Sequence, residues 1–169
     1  TLNGKQILLI VSGGIAAYKA AVLVRRLKDA GASVVPVLTR GGAQFITPLT
    51  LSALAENPVY EDLFSLKDEA EMGHIRLARE ADLILVAPAS ADLIAKMAHG
   101  LTDDLASTTL LAADGPVAIA PSMHPVMWAN PATQANVATL MQRGIQVWGP
   151  ADGDMACGEI GTGRFEEPE

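Results

Sequence analysis

The 169-residue sequence predicts a single α/β domain, three layers deep (αβα), around a mostly parallel sheet. Three observations predict it. Apolar runs of strand length alternate with segments of helical periodicity along the chain. Most of these runs are continuously apolar, as in strands covered on both faces. The residues are 50% hydrophobic and 18% charged, which suits one well-buried core and argues against disorder. No internal repeat or low-complexity segment divides the chain.

The elements follow in order. KQILLIVS (5–12) is a short apolar strand. IAAYKAAVLVRRLKDAG (15–31) has helical spacing, cations near its end and Gly31 as its stop. SVVPVLT (33–39) is the next strand, and Pro36, which has no N–H for a ladder, predicts an edge or a bulge there. Thr47 as cap and Pro48 at the first helical position open a helix over 47–57. A helix over 74–81 precedes a buried strand over 82–89. Two helices occupy 91–100 and 103–114, and PVAIAPS (116–122) is another buried strand. A helix over 130–144 runs from Asn130 as cap to Gly144 as stop, and IQVWGP (145–150) is a last short strand.

Composition excludes several function classes. The net charge of -7 has the wrong sign for a nucleic-acid surface. No apolar run approaches the roughly 20 residues of a membrane span. Cys157 is the one cysteine, so no intrachain disulfide forms, and a reducing, cytoplasmic setting is expected. The histidines lack metal-ligand spacing, so no metal site is expected. The charged end GRFEEPE, without a closing element, is expected of one domain cut from a longer protein.

On sheets of this kind ligands bind outside the carboxyl ends of strands, which directs attention to 12–19, 39–45, 87–93 and 120–128. Gly13 and Gly14 join a strand to a helix; they form either an ordinary turn or a close approach to an anion at the helix start. Neither a P-loop nor G-x-G-x-x-G is present. Thr39-Arg40 stands where a dinucleotide fold would place an acid, and a hydroxyl and a cation suit a phosphate instead. Ser90 is either a plain helix cap or part of a three-sided polar pocket with the other two segments. His74 is either structural or a base usable near neutral pH. Met97, Met123, Met127 and Trp128 suit a core or the face of a planar heterocycle. DMACGEIGTGRFEEP (154–168) looks too polar and Gly-rich for a core element; it is either a mobile tail or a flap that brings Cys157 over a substrate, with Glu159 and Arg164 as contacts.

GGIAAYK, GHIRLAR, APASADLIAKMAHGLTDDL, PSMHPVMW and ACGEIGTGR come in the order seen in the homo-oligomeric flavin-containing cysteine decarboxylases. The resemblance runs from about residue 4 to 168, and its combination of motifs resembles the coenzyme A branch, whose bacterial members are bifunctional with a phosphopantothenate–cysteine ligase. It implies a flavodoxin-like or Rossmann-like domain over 1–169, with 153–169 as substrate flap and tail and no ligase domain following. It implies FMN as cofactor, 4'-phosphopantothenoylcysteine as substrate, 4'-phosphopantetheine as product, and a homotrimer, assembled into dodecamers in bifunctional members. By resemblance, Gly13, Gly14, Ile15, Thr39, Phe45, Ser90, Ala91, Asp92, Leu93, Ser122 and Met123 bind FMN. His74 matches the active-site base and Cys157 the proton donor; His124, Met127, Glu159 and Arg164 meet substrate. The implied chemistry oxidises the carbon next to sulfur, so that the resulting C=S draws electrons from the departing carboxylate. Alternatives within the resemblance are a decarboxylase of another thiol or peptidyl cysteine, and a non-catalytic flavin-binding regulator.

One position departs from the family pattern P-A-M-N-x-x-M-W: His124 stands where the family has Asn. Imidazole differs from an amide in bulk and geometry and can carry charge. The expectation is that His124 impairs turnover.

Overall fold

The computed structural model describes residues 1–63, 73–154 and 160–168. Five parallel strands form the central sheet in the order β2-β1-β3-β4-β5. They are β1 (Gln6–Val11), β2 (Ser33–Leu38), β3 (Leu83–Ala89), β4 (Val117–Pro121) and β5 (Gln146–Val147). Every second side chain of a strand faces the same layer. Ile7, Leu9 and Val11 of β1 therefore pack with α1 (Lys19–Asp29) and α2 (Pro48–Ala55). Leu8 and Ile10 face the opposite core, which holds residues of α3 (Gly73–Glu80), α4 (Ala91–His99), α5 (Leu105–Leu111) and α7 (Pro131–Gln142). Burial on both faces is why the strands are continuously apolar.

The strand, helix and cap expectations hold with small shifts. Pro36 lies on an edge strand, as expected. The amides of Ser33 and Thr39 donate inward to Lys5 and Val11, whereas that of Leu38 donates outward to Tyr60. Pro36 shares the parity of Leu38, so its missing N–H costs the β1 ladder nothing. Thr47, Ser90 and Asn130 cap their helices through their side chains. The helix expected over 15–31 begins instead as a 3-10 turn, Ile15–Tyr18, before α1. The segment 120–128 contains a short helix, α6 (Pro125–Ala129).

The end of the chain corrects one reading. Residues 151–164 include an antiparallel pair, β6 (Ala151–Asp154) and β7 (Ile160–Arg164), and Phe165 is buried at 3% exposure in the α1-side core. A polar, Gly-rich segment therefore does contribute to the core, and a mobile tail is not what residues 160–168 form. The switch in strand order lies between β1 and β3, since the chain passes from β1 to one side and later to the other. Ligands of such sheets bind in the crevice at that point.

Candidate functional site

The carboxyl ends of β1 and β3 are pinned together by Ser12, which is 2% exposed. Its hydroxyl donates to the Pro88 carbonyl at 2.6 Å and accepts the Ser90 N–H at 2.9 Å. Pro88 is tolerated in an interior strand because the β3–β4 register shifts between Val86 and Ala89. Sequence reasoning missed Ser12. A hydroxyl directly after a buried strand and before a glycine pair was the available signal.

The loop after β2 closes tightly on this junction. A Cβ on Gly13 would lie 3.2 Å from the Gly41 Cα, and one on Gly42 would lie 2.5 Å from the Val11 carbonyl oxygen. A side chain at Gly42 would collide with backbone, and one at Gly13 would be tight against it. Thr39 Oγ1 accepts the Gly42 N–H at 3.0 Å and donates to Val11 O at 3.3 Å, so this hydroxyl is committed to the turn. At the start of α4, Ser90 Oγ accepts the Leu93 N–H at 3.2 Å. The Leu93 side chain is buried in the core.

These segments surround a cavity of about 810 Å³. Gly13, Thr39, Ser90, Asp92 and Leu93 line it, as do Ser12, Arg40 and Gly41. The three-sided pocket expected from sequence is therefore present. A fourth side was not foreseen: Glu61, Asp62, Lys96, Asp103 and Asp104. Lys96 pairs with Asp92 at 3.1 Å and Asp103 at 3.2 Å. Burial alone would lower the Lys96 pKa, but the two carboxylates outweigh it and the net shift is upward. The hydrogen bond from Lys96 holds Asp103 below the usual carboxylate range. Lys96 is thus neutralised locally, while Arg40 sits on the loop packed against Gly13. Glu61 and Asp62 follow Tyr60, which pairs with β2 just before this loop, so Arg40 and two acids share that side of the cavity.

The remaining candidates lie outside this cavity wall. Gly14, with φ 141°, caps the 3-10 turn. Ile15 and Phe45 are exposed at 60% and 49%. Ala91 begins α4. The Ser122 N–H donates to Ala89 O at 3.1 Å, tying the ends of β4 and β3 together. Met123 is buried, and its N–H donates to Gly163 O at 2.9 Å. Gly163 packs so closely that a Cβ there would lie 2.2 Å from Met123 O. The β6–β7 pair is therefore docked directly on the PSMHPVMW segment. His124 caps α6, its Nδ1 accepting the Val126 N–H at 3.2 Å, and Met127 is exposed on that helix. Arg164 pairs with Glu167 at 2.5 Å, and Glu167 also pairs with Lys19 at 2.9 Å. The hydrogen bond from Lys19 leads the lowering of the Glu167 pKa. His74 is near the start of α3, with Nδ1 buried and without a hydrogen-bond partner among the described residues. Cys157 and Glu159 lie outside the described residues. The expected candidates thus fall into a crevice group and a β4–β7 group, with His74 outside the cavity wall. No cluster of side chains able to hold a metal occurs among the described residues.

Comparison with known proteins identifies the family. The Flavoprotein family model matches residues 1–169. The chain belongs to this flavoprotein family. It is 56% identical over 168 residues to the coenzyme A biosynthesis bifunctional protein CoaBC of Vibrio vulnificus, covering 99% of this chain and 42% of that protein. Identity to CoaBC of Escherichia coli is 51% over 168 residues, 99% of this chain and 41% of that protein. The chain therefore spans less than half the length of these relatives. Among solved structures, a cysteine-to-serine mutant of PPC decarboxylase complexed with pantothenoylaminoethenethiol superposes with a TM-score of 0.88 at 32% identity, covering 97% of this chain and 92% of that one. The FMN-binding protein AtHal3 gives 0.84 at 34% identity, over 97% and 90%. The flavodoxin-like α/β architecture of this flavoprotein is shared with both.

Proposed function

We propose that this flavoprotein domain binds FMN in the β1/β3 crevice and decarboxylates 4'-phosphopantothenoylcysteine to 4'-phosphopantetheine in coenzyme A biosynthesis. One observation carries the reading: the glycine-lined crevice adjoins, through the Ala89–Ser122 bond, the loop on which the β6–β7 pair is docked. A cofactor pocket and a substrate segment thereby share one end of the sheet. The similarity to the PPC decarboxylase and CoaBC proteins supports it.

The residues present fit FMN. The cavity has a mononucleotide's scale, and the Gly13–Gly41 contact brings glycine backbone to its wall at the start of the helix-bearing loop. Bound FMN supplies a reversible acceptor for the hydride on the carbon beside sulfur. His74 takes the accompanying proton, and Cys157 returns a proton to carbon after carbon dioxide has left. His124, Met127, Glu159 and Arg164 orient the substrate, with the β6–β7 pair closing over it. Gly14, Ile15, Phe45, Ala91, Ser122 and Met123 approach the flavin from beside the crevice. Ile15, Tyr18 and Val22 are exposed at 60%, 58% and 42%, a row of apolar side chains suited to self-association, for which we propose a homotrimer. The single thiol supports a cytoplasmic setting.

The test is mass spectrometry of 4'-phosphopantothenoylcysteine incubated with the FMN-loaded protein. Loss of carbon dioxide with 4'-phosphopantetheine as product is expected. Release of an oxidised enethiol instead would favour a decarboxylase of another thiol. An intact substrate beside unbleached flavin would contradict the enzyme reading.

A further inference from the structure

We propose that Lys96 sets the preference of the β1/β3 crevice for a phosphorylated over an unphosphorylated flavin, by cancelling carboxylates on one wall of it. The inference rests on the functional reading above and adds to it a specificity-determining residue. Among the described residues, the cavity wall carries five carboxylates and two cations, Arg40 and Lys96. A dianionic phosphate enters such a wall against repulsion. The acids fall into two groups. Glu61 and Asp62 stand with Arg40 beside the loop after β2. Asp92, Asp103 and Asp104 stand on the α4–α5 side, where Lys96 is the cation.

Each acid of the second group is answered. Asp104 caps α5: its Oδ1 accepts the Ser107 N–H at 2.8 Å, and the positive end of the helix offsets its charge. Lys96 takes the other two, Asp92 one turn before it on α4 and Asp103 in the loop before α5. A clip for stability alone explains this poorly. Exposed ion pairs contribute little, yet here the lysine side chain is withdrawn to 20% exposure while its carboxylates stay at 76% and 63%. Burial disfavours the ammonium charge, and the two carboxylates more than restore it, so Lys96 stays charged at the cavity wall. The pairing of Asp92 with a residue one turn later also turns that carboxylate away from the Ser90 end of α4. A neutral side chain in place of Lys96 would leave two uncancelled carboxylates beside the ligand. A cavity of about 810 Å³ is on the order of 10 Å across, the Debye length at about 0.1 M salt, so a phosphate anywhere in it feels that change.

The experiment titrates the flavin-stripped full chain with FMN and with riboflavin, which differ by the phosphate alone. Lys96→Met keeps the side-chain length and loses the charge. In that variant FMN should bind about tenfold more weakly, while riboflavin binds within about twofold of the parent. Lys96→Arg should keep the parental ratio of the two affinities. Asp103→Asn leaves Lys96 with one carboxylate fewer and should tighten FMN about threefold with riboflavin unchanged. The shift in Lys96→Met should fade in about 1 M salt, where the Debye length is about 3 Å. Equal weakening of both flavins, an unchanged ratio, or a shift that salt leaves in place makes Lys96 a structural clip and overturns the inference. If Lys96→Met fails to fold, Asp103→Asn decides, and an unchanged ratio there overturns it. A parent that binds neither flavin contradicts the functional reading itself, and the inference falls with it.

Discussion

The crevice at β1 and β3 and the docked pair β6–β7 are built in different ways. The crevice is closed by turn chemistry at strand ends: Ser12 bridging Pro88 and Ser90, Thr39 folding its own loop, Ser90 capping its own helix. The β6–β7 pair is held from a distance, by the Met123–Gly163 bond, by Phe165 in the core and by Glu167 at Lys19. A cofactor pocket that must be preformed suits the first design. A segment that must meet a substrate suits the second, because its anchors fix it against the end of the sheet where β4 leads into α6.

Substitutions should separate the two regions. Phe165→Ala has the largest expected effect, a loss of about 3–5 kcal/mol in denaturant unfolding, because it empties a buried aromatic site. It should also undock the last strand, visible as faster amide exchange in Ile160–Arg164. Gly42→Ala should cost about 1–3 kcal/mol, since its Cβ would meet backbone that cannot yield easily. Flavin titration should show weakened FMN binding in that variant. Ser12→Ala follows at about 1–3 kcal/mol, because Ser90 N–H loses its acceptor and Pro88 O a donor. Its FMN affinity should fall while exchange in β7 stays at the parental rate; an unchanged affinity would remove Ser12 from the account.

The smallest effect concerns acid. Lys19 holds the Glu167 carboxyl below its usual range, so the folded state favours the ionised form. That contribution is present above the usual carboxylate pKa and is lost as pH falls through the lowered value. Amide exchange in β7, corrected for its intrinsic pH dependence, should therefore quicken in acid. Glu167→Gln should remove that pH response, with little change in global stability, as expected for an exposed ion pair.

The two regions also differ in how far the sequence revealed them. The crevice was largely legible, because each of its parts is local: an apolar strand, a glycine pair, a capping serine. Pro36 announced its edge strand by the same local logic. What lay across the chain was not legible. Glu61, Asp62, Asp103 and Asp104 reach the cavity only through tertiary placement. The 3-10 turn at 15–18 has the same apolar spacing as the helix that follows it. The α6 helix was hidden because histidine is an unusual cap. Phe165 is a single aromatic in a polar run, with no periodicity to mark it as core. Gly163 lay unremarked in a Gly-rich run read as a tail or a flap, whereas its φ of 149° and its contact with Met123 are docking features.

Gly163→Ala is the most direct test of the claim that cofactor binding and substrate handling are separable. The variant would be titrated with FMN and then assayed for decarboxylation of 4'-phosphopantothenoylcysteine. The account predicts decarboxylation reduced by about 100-fold or more through misplacement of the substrate segment, a loss well beyond any loss of FMN affinity passed on through Met123. Parental turnover, or equal loss of FMN binding and turnover, would contradict it.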